Sequence, residues 1–100
     1  MKKVFYQRWK YEGEWKNGKQ HGKGKETFAT GREYDGEYEY GMQHGKGIGK
    51  YINGEKRFVG EYMNGKQWKG TSYDRHGNKN WYWDHGQPFR DFIYKPTKLK

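Results

Sequence analysis

The sequence predicts an all-β fold: a single-layer antiparallel sheet of tandem β-hairpin repeats, an open meander or solenoid closed by an irregular C-terminal cap. Three observations predict it. A block alternating aromatic, polar, glycine, acidic and aromatic residues recurs at spacings of 23 and 24 residues. Glycine-containing turn pairs follow each block at equivalent places. Aromatics make up 20 of the 100 residues, while the only Val, Ile and Leu are Val4, Ile48, Ile52, Val59, Ile93 and Leu99. A chain this charged is disordered unless it has something large to bury. Tyr, Trp and Phe bury large areas and favour strands, so a thin aromatic sheet fits better than a deep globule.

The elements follow in order. Residues 1–10 hold Val4-Phe5-Tyr6-Gln7-Arg8-Trp9, read as an N-terminal capping strand. Residues 11–33, 34–57 and 58–80 are three repeats, opening with Tyr11-Glu12-Gly13-Glu14-Trp15, Tyr34-Asp35-Gly36-Glu37-Tyr38 and Phe58-Val59-Gly60-Glu61-Tyr62. Period two places Tyr11, Gly13 and Trp15 on one face and Glu12, Glu14 and Lys16 on the other. The glycines at 13, 36 and 60 leave holes over which neighbouring rings lie. Asn17-Gly18 and Asn64-Gly65 are hairpin turns, because both residue types tolerate positive φ. Loops Lys19–Gly24, Met42–Gly47 and the shortened Lys66–Gly70 are expected next, then short strands carrying Phe28, Tyr51 and Tyr73. Gly31, Gly54 and Gly77 turn the chain into the next unit. Gly65 to Tyr73 is two residues shorter than the matching spans, which preserves parity and keeps Tyr73 on the aromatic face. A bulge is expected to absorb the extra residue before Gly77. Residues 81–94, with Trp81-Tyr82-Trp83-Asp84-His85-Gly86 and Phe89–Tyr94, read as a degenerate cap, and 95–100 as a tail. Each hairpin advances the sheet by about 10 Å.

The segment Tyr-Glu-Gly-Glu-Trp-Lys-Asn-Gly-Lys-Gln-His-Gly-Lys-Gly at 11–24 resembles the MORN repeat (membrane occupation and recognition nexus). Residues 34–47 repeat it and 58–70 follow it less closely. The resemblance implies a curved single-layer sheet with an aromatic, groove-like face. It also implies scaffolding of protein partners, homodimers, or binding to membranes and phosphoinositides. The family's repeats also occur beside kinase or methyltransferase domains, and no such domain is recognisable here.

The net charge of +9 is uneven: residues 1–10 hold four positive charges and no negative one, while 34–57 hold four of each. This is not the uniform basic stripe of a dedicated nucleic-acid binder. No cysteine is present, so no disulfide or thiolate metal site is expected. No apolar run follows the basic start, and none approaches the roughly 20 residues that span a bilayer. The expected setting is the cytoplasm, with membrane association where lysines meet anionic lipid.

Candidate sites follow from the repeat. Tyr11, Trp15, Tyr34, Tyr38, Phe58 and Tyr62 form the aromatic face. A one-layer sheet leaves some rings accessible, and Tyr and Trp are favoured interface anchors, so this face is the leading candidate for gripping a peptide or helix of a protein partner. Against that stands the simpler role of holding the sheet together. Lys19, Lys23, Lys46, Lys66 and Lys69 are placed in loops along one rim. With Lys2, Lys3, Arg8 and Lys10 they suit anionic headgroups, each worth about 1 kcal/mol, or else simply keep the sheet soluble. Single-stranded nucleic acid ranks third, through stacking on rings. His21 and His44 share a loop position, but about 10 Å of separation suits turn residues better than one metal ion. Glu14, Glu37 and Glu61 recur three times, which fits a neutralised ladder better than an active site. Gly-Lys-Gly at 22–24 and 45–47 lacks the spacing and helix of a phosphate loop. No cofactor, metal or catalysis is therefore expected. Exposed sheet edges permit end-to-end homo-oligomers.

Overall fold

The computed structural model describes residues 2–6 and 8–90. Among the described residues nine strands follow one another: β1 (Lys2–Tyr6), β2 (Trp9–Lys16), β3 (Lys19–Thr27), β4 (Glu33–Glu39), β5 (Met42–Lys50), β6 (Lys56–Met63), β7 (Lys66–Tyr73), β8 (Lys79–Asp84) and β9 (Gln87–Arg90). Each pairs antiparallel with the next, so spatial order equals chain order in one open sheet. The molecule is a plate of 46 × 28 × 16 Å. Phe92, Ile93, Tyr94 and the tail at 95–100 lie outside the described residues.

Two kinds of turn alternate. At Asn17-Gly18, Tyr40-Gly41, Asn64-Gly65 and His85-Gly86 both residues have positive φ, between 50° and 86°. That is the turn whose twist matches the flanking strands. Tyr40 and His85 hold a conformation that asparagine holds more readily. The other kind spans five residues. The amides of Phe28, Tyr51 and Asp74 donate to the carbonyls of Arg32, Glu55 and Asn78, and Gly31, Gly54 and Gly77 donate back. Successive turns are also joined: Gly41, Gly65 and Gly86 donate to the carbonyls of Gln20, Gln43 and Trp68.

Three details differ from the sequence expectation. The segments expected as loops at Lys19–Gly24, Met42–Gly47 and Lys66–Gly70 are strand, bulged rather than looped. Register jumps from Gly13↔Gly24 to Glu14↔His21, and from Gly36↔Gly47 to Tyr38↔Gln43. Two extra residues are absorbed at each jump. Between β6 and β7 only Trp68 is extra. The third repeat therefore loses one residue, not two. In consequence Asp74, not Tyr73, matches Phe28 and Tyr51, and Ser72, not Tyr73, stands opposite Phe58. Asp74 replaces the ring with polar bonds, accepting from the amides of His76 and Asn78. No residue is left over before Gly77. The bulge falls after it, where register passes from Ser72↔Trp81 to Tyr73↔Lys79.

A file of glycines crosses the sheet. Gly13, Gly24, Gly36, Gly47, Gly60 and Gly70 are successive register partners from β2 to β7, and the file ends where Gly70 meets Trp83. Without side chains, this row is a trough. Tyr11 lies over Gly24 and Tyr34 over Gly47: a Cβ built on either glycine would stand 2.6 Å from the Cζ of the ring above it. Tyr11, Tyr34 and Phe58 are 0, 1 and 0% exposed, and Tyr38 and Tyr62 are 4%. Burying one such ring contributes about 1.5–3 kcal/mol.

The trough yields a contrast between glycines. A Cβ at Gly36 would lie 2.5 Å from Gly47 Cα and 2.6 Å from Lys46 O, both backbone. No rotamer relieves that clash, so Gly36→Ala is expected to cost about 3 kcal/mol or more. Gly65 has nothing within 4 Å and only its φ of +86° to defend, so Gly65→Ala costs about 1–2 kcal/mol. Urea unfolding of the two variants checks the order.

Candidate functional site

The aromatic face is built from two rows. Register places Tyr11, Glu26, Tyr34, Gly49, Phe58, Ser72 and Trp81 in one cross-sheet row, two residues from the glycine file and on the same face. From this row the rings lean across the trough onto the next repeat. The result is a herringbone: Trp15–Tyr11, Tyr11–Tyr38, Tyr38–Tyr34, Tyr34–Tyr62, Tyr62–Phe58 and Phe58–Trp83, at centroid distances of 4.8–6.4 Å and interplanar angles of 81–90°. Edge-to-face contacts of this kind add about 0.5–1.5 kcal/mol each.

The hydroxyls lock the bulges. Tyr11 donates to Glu14 O at 2.9 Å and Tyr34 to Glu37 O at 2.8 Å, beside the two register jumps. Where the bulge is one residue shorter, the ring is Phe58 and carries no hydroxyl. Tyr38 donates to Glu26 Oε1 at 2.7 Å, and Trp9 Nε1 donates to the other carboxylate oxygen. Burial pushes the phenols of Tyr11, Tyr34 and Tyr38 above the ordinary tyrosine value, and the Glu26 carboxylate adds to the rise at Tyr38. Tyr62 is pushed up to about 12 by burial, with Arg57 pulling the other way.

Six rings were expected to line a groove. The structure gathers all six on one face, but five of them are core, at 4% exposure or less. Among the six, only Trp15 is partly exposed. Partly buried rings packed against the margin of the core are Trp9, Trp15, Phe28 and Trp83. A cleft of about 640 Å³ opens beside Trp83, lined by Met63, Trp68, His85 and Gln87 among others. Trp68 and His85 meet there at a centroid distance of 5.1 Å, their planes tilted by 59°. Trp68 and Trp83 were missed as site residues because neither stands in the repeated block. Trp68 is a bulge residue where the other repeats have His-Gly.

The remaining candidates take structural places. Lys19 and Lys66 open strands immediately after turns, but Lys23, Lys46 and Lys69 stand within strands rather than loops. Their register partners are Glu37 for Lys23 and Glu61 for both Lys46 and Lys69, so acids interleave this row. Glu37 accepts from the Lys46 amide at 2.8 Å, and the Glu14 carboxylate fills the space above Gly22. His44 joins two turns, its Nδ1 accepting from the Asn64 amide at 3.3 Å and its Nε2 lying 3.4 Å from Glu39. Among the described residues no group of His, Cys, Asp and Glu has metal-binding proximity.

Comparison with known families agrees with this geometry. The MORN repeat model matches residues 11–31 and 34–56, so two MORN repeats lie within residues 11–56. No curated protein matches the chain in sequence.

Two outcomes follow from the hydroxyls. Tyr38→Phe strips a donor from a partly buried carboxylate and is expected to cost about 1.5–3 kcal/mol. Tyr62→Phe removes a hydroxyl that has no hydrogen-bond partner among the described residues, so it stays within about 0.5 kcal/mol. Urea midpoints of the pair check this. Alkaline titration gives the second. Tyr62 holds its proton more tightly folded than unfolded, where tyrosine titrates near 10. Its contribution is therefore complete below pH 10 and lost as pH rises to about 12. Tyrosinate absorbance and circular dichroism followed together should show the late-titrating tyrosines ionising as the sheet unfolds.

Proposed function

We propose that this chain, which carries MORN repeats, is a non-catalytic scaffold that holds a segment of a protein partner along the margin of its aromatic face. Its work is mechanical: the buried herringbone keeps the sheet stiff, and partly buried rings beside it supply the grip. One observation carries the reading. The 640 Å³ cleft sits where Met63, Trp68 and Trp83 converge, and Met63 is 38% exposed although large and apolar. Tryptophan and methionine are enriched where proteins meet. The cleft lies against Phe58 through Trp83, which is in edge contact with it at 6.4 Å, so a bound segment would rest on the same stack that stabilises the fold. The repeats argue against catalysis on this face, because each carboxylate recurs as a backbone or cross-strand partner rather than as a unique desolvated group.

The lysines support a subordinate reading, since Lys19, Lys23, Lys46, Lys66 and Lys69 are all exposed. Three of them alternate with glutamates, which weakens any continuous attraction to a membrane.

Trp68→Ala and Trp83→Ala test the proposal against peptides selected from a random display library on the wild-type chain. Each variant is expected to retain its β-sheet circular dichroism and to weaken selected peptides at least tenfold, the loss typical of a hot-spot ring. Unchanged affinity in both folded variants would contradict it. Anionic vesicles and a single-stranded oligonucleotide are run beside the peptides. Binding to either that survives both substitutions and vanishes in high salt would move the assignment to the lysines.

A further inference from the structure

Three junctions on the aromatic face occupy the same register, and two of them are closed by the chain's own side chains. Opposite Tyr11 and Tyr34 stands Glu26, whose carboxylate accepts from Tyr38 and Trp9. Opposite Phe58 and Trp81 stands Ser72, whose hydroxyl accepts from Trp83 Nε1 at 3.1 Å and donates to Asn80 Oδ1 at 2.9 Å. Between them, opposite Tyr34 and Phe58, stands Gly49. It offers nothing to its neighbours. Tyr62, the repeat equivalent of Tyr38, is 4% exposed, and its hydroxyl has no hydrogen-bond partner among the described residues.

A second donor is aimed at the same place. Register passes from Gly49↔Phe58 to Lys50↔Lys56, so Arg57 is an extra residue in β6. This is the residue that lengthens the repeat spacing from 23 to 24. A bulge re-aims a side chain, and here it brings the guanidinium over Gly49. A Cβ built on Gly49 would lie 3.0 Å from Tyr62 Oη and 3.1 Å from Arg57 Nη2. Arg57 Nε is also buried without a partner, and Arg57 makes no ion pair among the described residues.

We propose that the Gly49 junction is a carboxylate-binding subsite: an aspartate or glutamate side chain of the bound protein segment sits over Gly49, accepting from the Tyr62 hydroxyl and pairing with the Arg57 guanidinium. The proposal deepens the scaffold reading and rests on it for the source of the carboxylate. The donor set demands an acceptor. Guanidinium carries five donors and no acceptor, and a phenol that keeps its proton until strongly alkaline pH donates at neutral pH. The first repeat supplies the pattern, because Glu26 delivers a carboxylate from the same row to the equivalent tyrosine. A planar fork over a notch suits two-point recognition of a carboxylate. Arg57 is half-buried, so its long side chain closes the notch in the free protein and lifts to meet the ligand.

The test builds the missing group into the chain. Gly49 has no positive φ to protect, and its closest would-be contacts are side-chain ends. Gly49→Glu should therefore restore the arrangement of Glu26. Its urea midpoint is expected above those of wild type and Gly49→Gln, and the gain should disappear in an Arg57→Gln background. A Gly49→Glu midpoint no higher than that of Gly49→Gln would overturn the subsite. In a second arm, library peptides selected on the wild-type chain are expected to share an Asp or Glu. Changing it to Asn or Gln should weaken binding at least tenfold to wild type, but by less than twofold to Arg57→Gln. Equal losses on both chains would overturn the pairing. If Gly49→Glu is stabilised while the library yields no peptide at all, the scaffold reading fails and the carboxylate site stands.

Discussion

Everything in this sheet depends on the close approach of backbone along the glycine file. Six consecutive strands present hydrogen where a side chain would be, and the trough they leave is deep enough for a ring to lie flat along its strand. Sheets ordinarily bury one face against a second layer. Here the second layer is a single row of aromatic rings lying on the strands that carry them. Tyr11 and Tyr34 cover the glycines of their own and the neighbouring strand, and each ring then presents an edge to the ring of the next repeat. A chain with only six Val, Ile and Leu residues thus acquires a core about one ring thick.

In the proposed scaffold, folding and binding draw on the same stack. The rings at its centre are inaccessible, so the proposed recognition falls to its borders: Trp15 at one end, Trp83 and the bulged Trp68 at the other. The glycine file ends at Trp83, where a large side chain stops the trough and creates the wall of the cleft. In the aromatic row beside the file, the residue opposite each ring differs between repeats, from Glu26 to Gly49 to Ser72. The repeats keep an aromatic ring and the glycines at equivalent places while this position varies, and individuality in the proposed recognition can enter there.

Much of the architecture was legible in the sequence. Gly13, Gly36 and Gly60 between paired aromatics announce strands with a hole on one face, and Asn17-Gly18 and Asn64-Gly65 announce their turns. Tyr40 and His85 adopt the same turn without that signature, so only the recurrence of the following glycine betrays them. The bulged strands were harder to read. In Gln-His-Gly-Lys-Gly, polar residues and two glycines look like a loop, and only pairing with both neighbours makes a strand of them. The equation of Tyr73 with Tyr51 failed for a related reason. An aromatic one residue early attracted the alignment, while the backbone bonds of the turn select Asp74. Accessibility was the least legible property. Alternation tells which face a ring takes, but not that the rings of successive repeats will seal one another from solvent.

The most direct measurement is a double-mutant cycle between a ring and the glycine beneath it. A Cβ at Gly47 would meet the Tyr34 ring at 2.5–2.6 Å, with no backbone among its three nearest contacts. Gly47→Ala is therefore expected to cost at least about 1 kcal/mol less in a Tyr34→Leu background than in the wild-type chain, a coupling characteristic of residues in contact. Strict additivity of the two substitutions would contradict the packing of rings into the glycine trough.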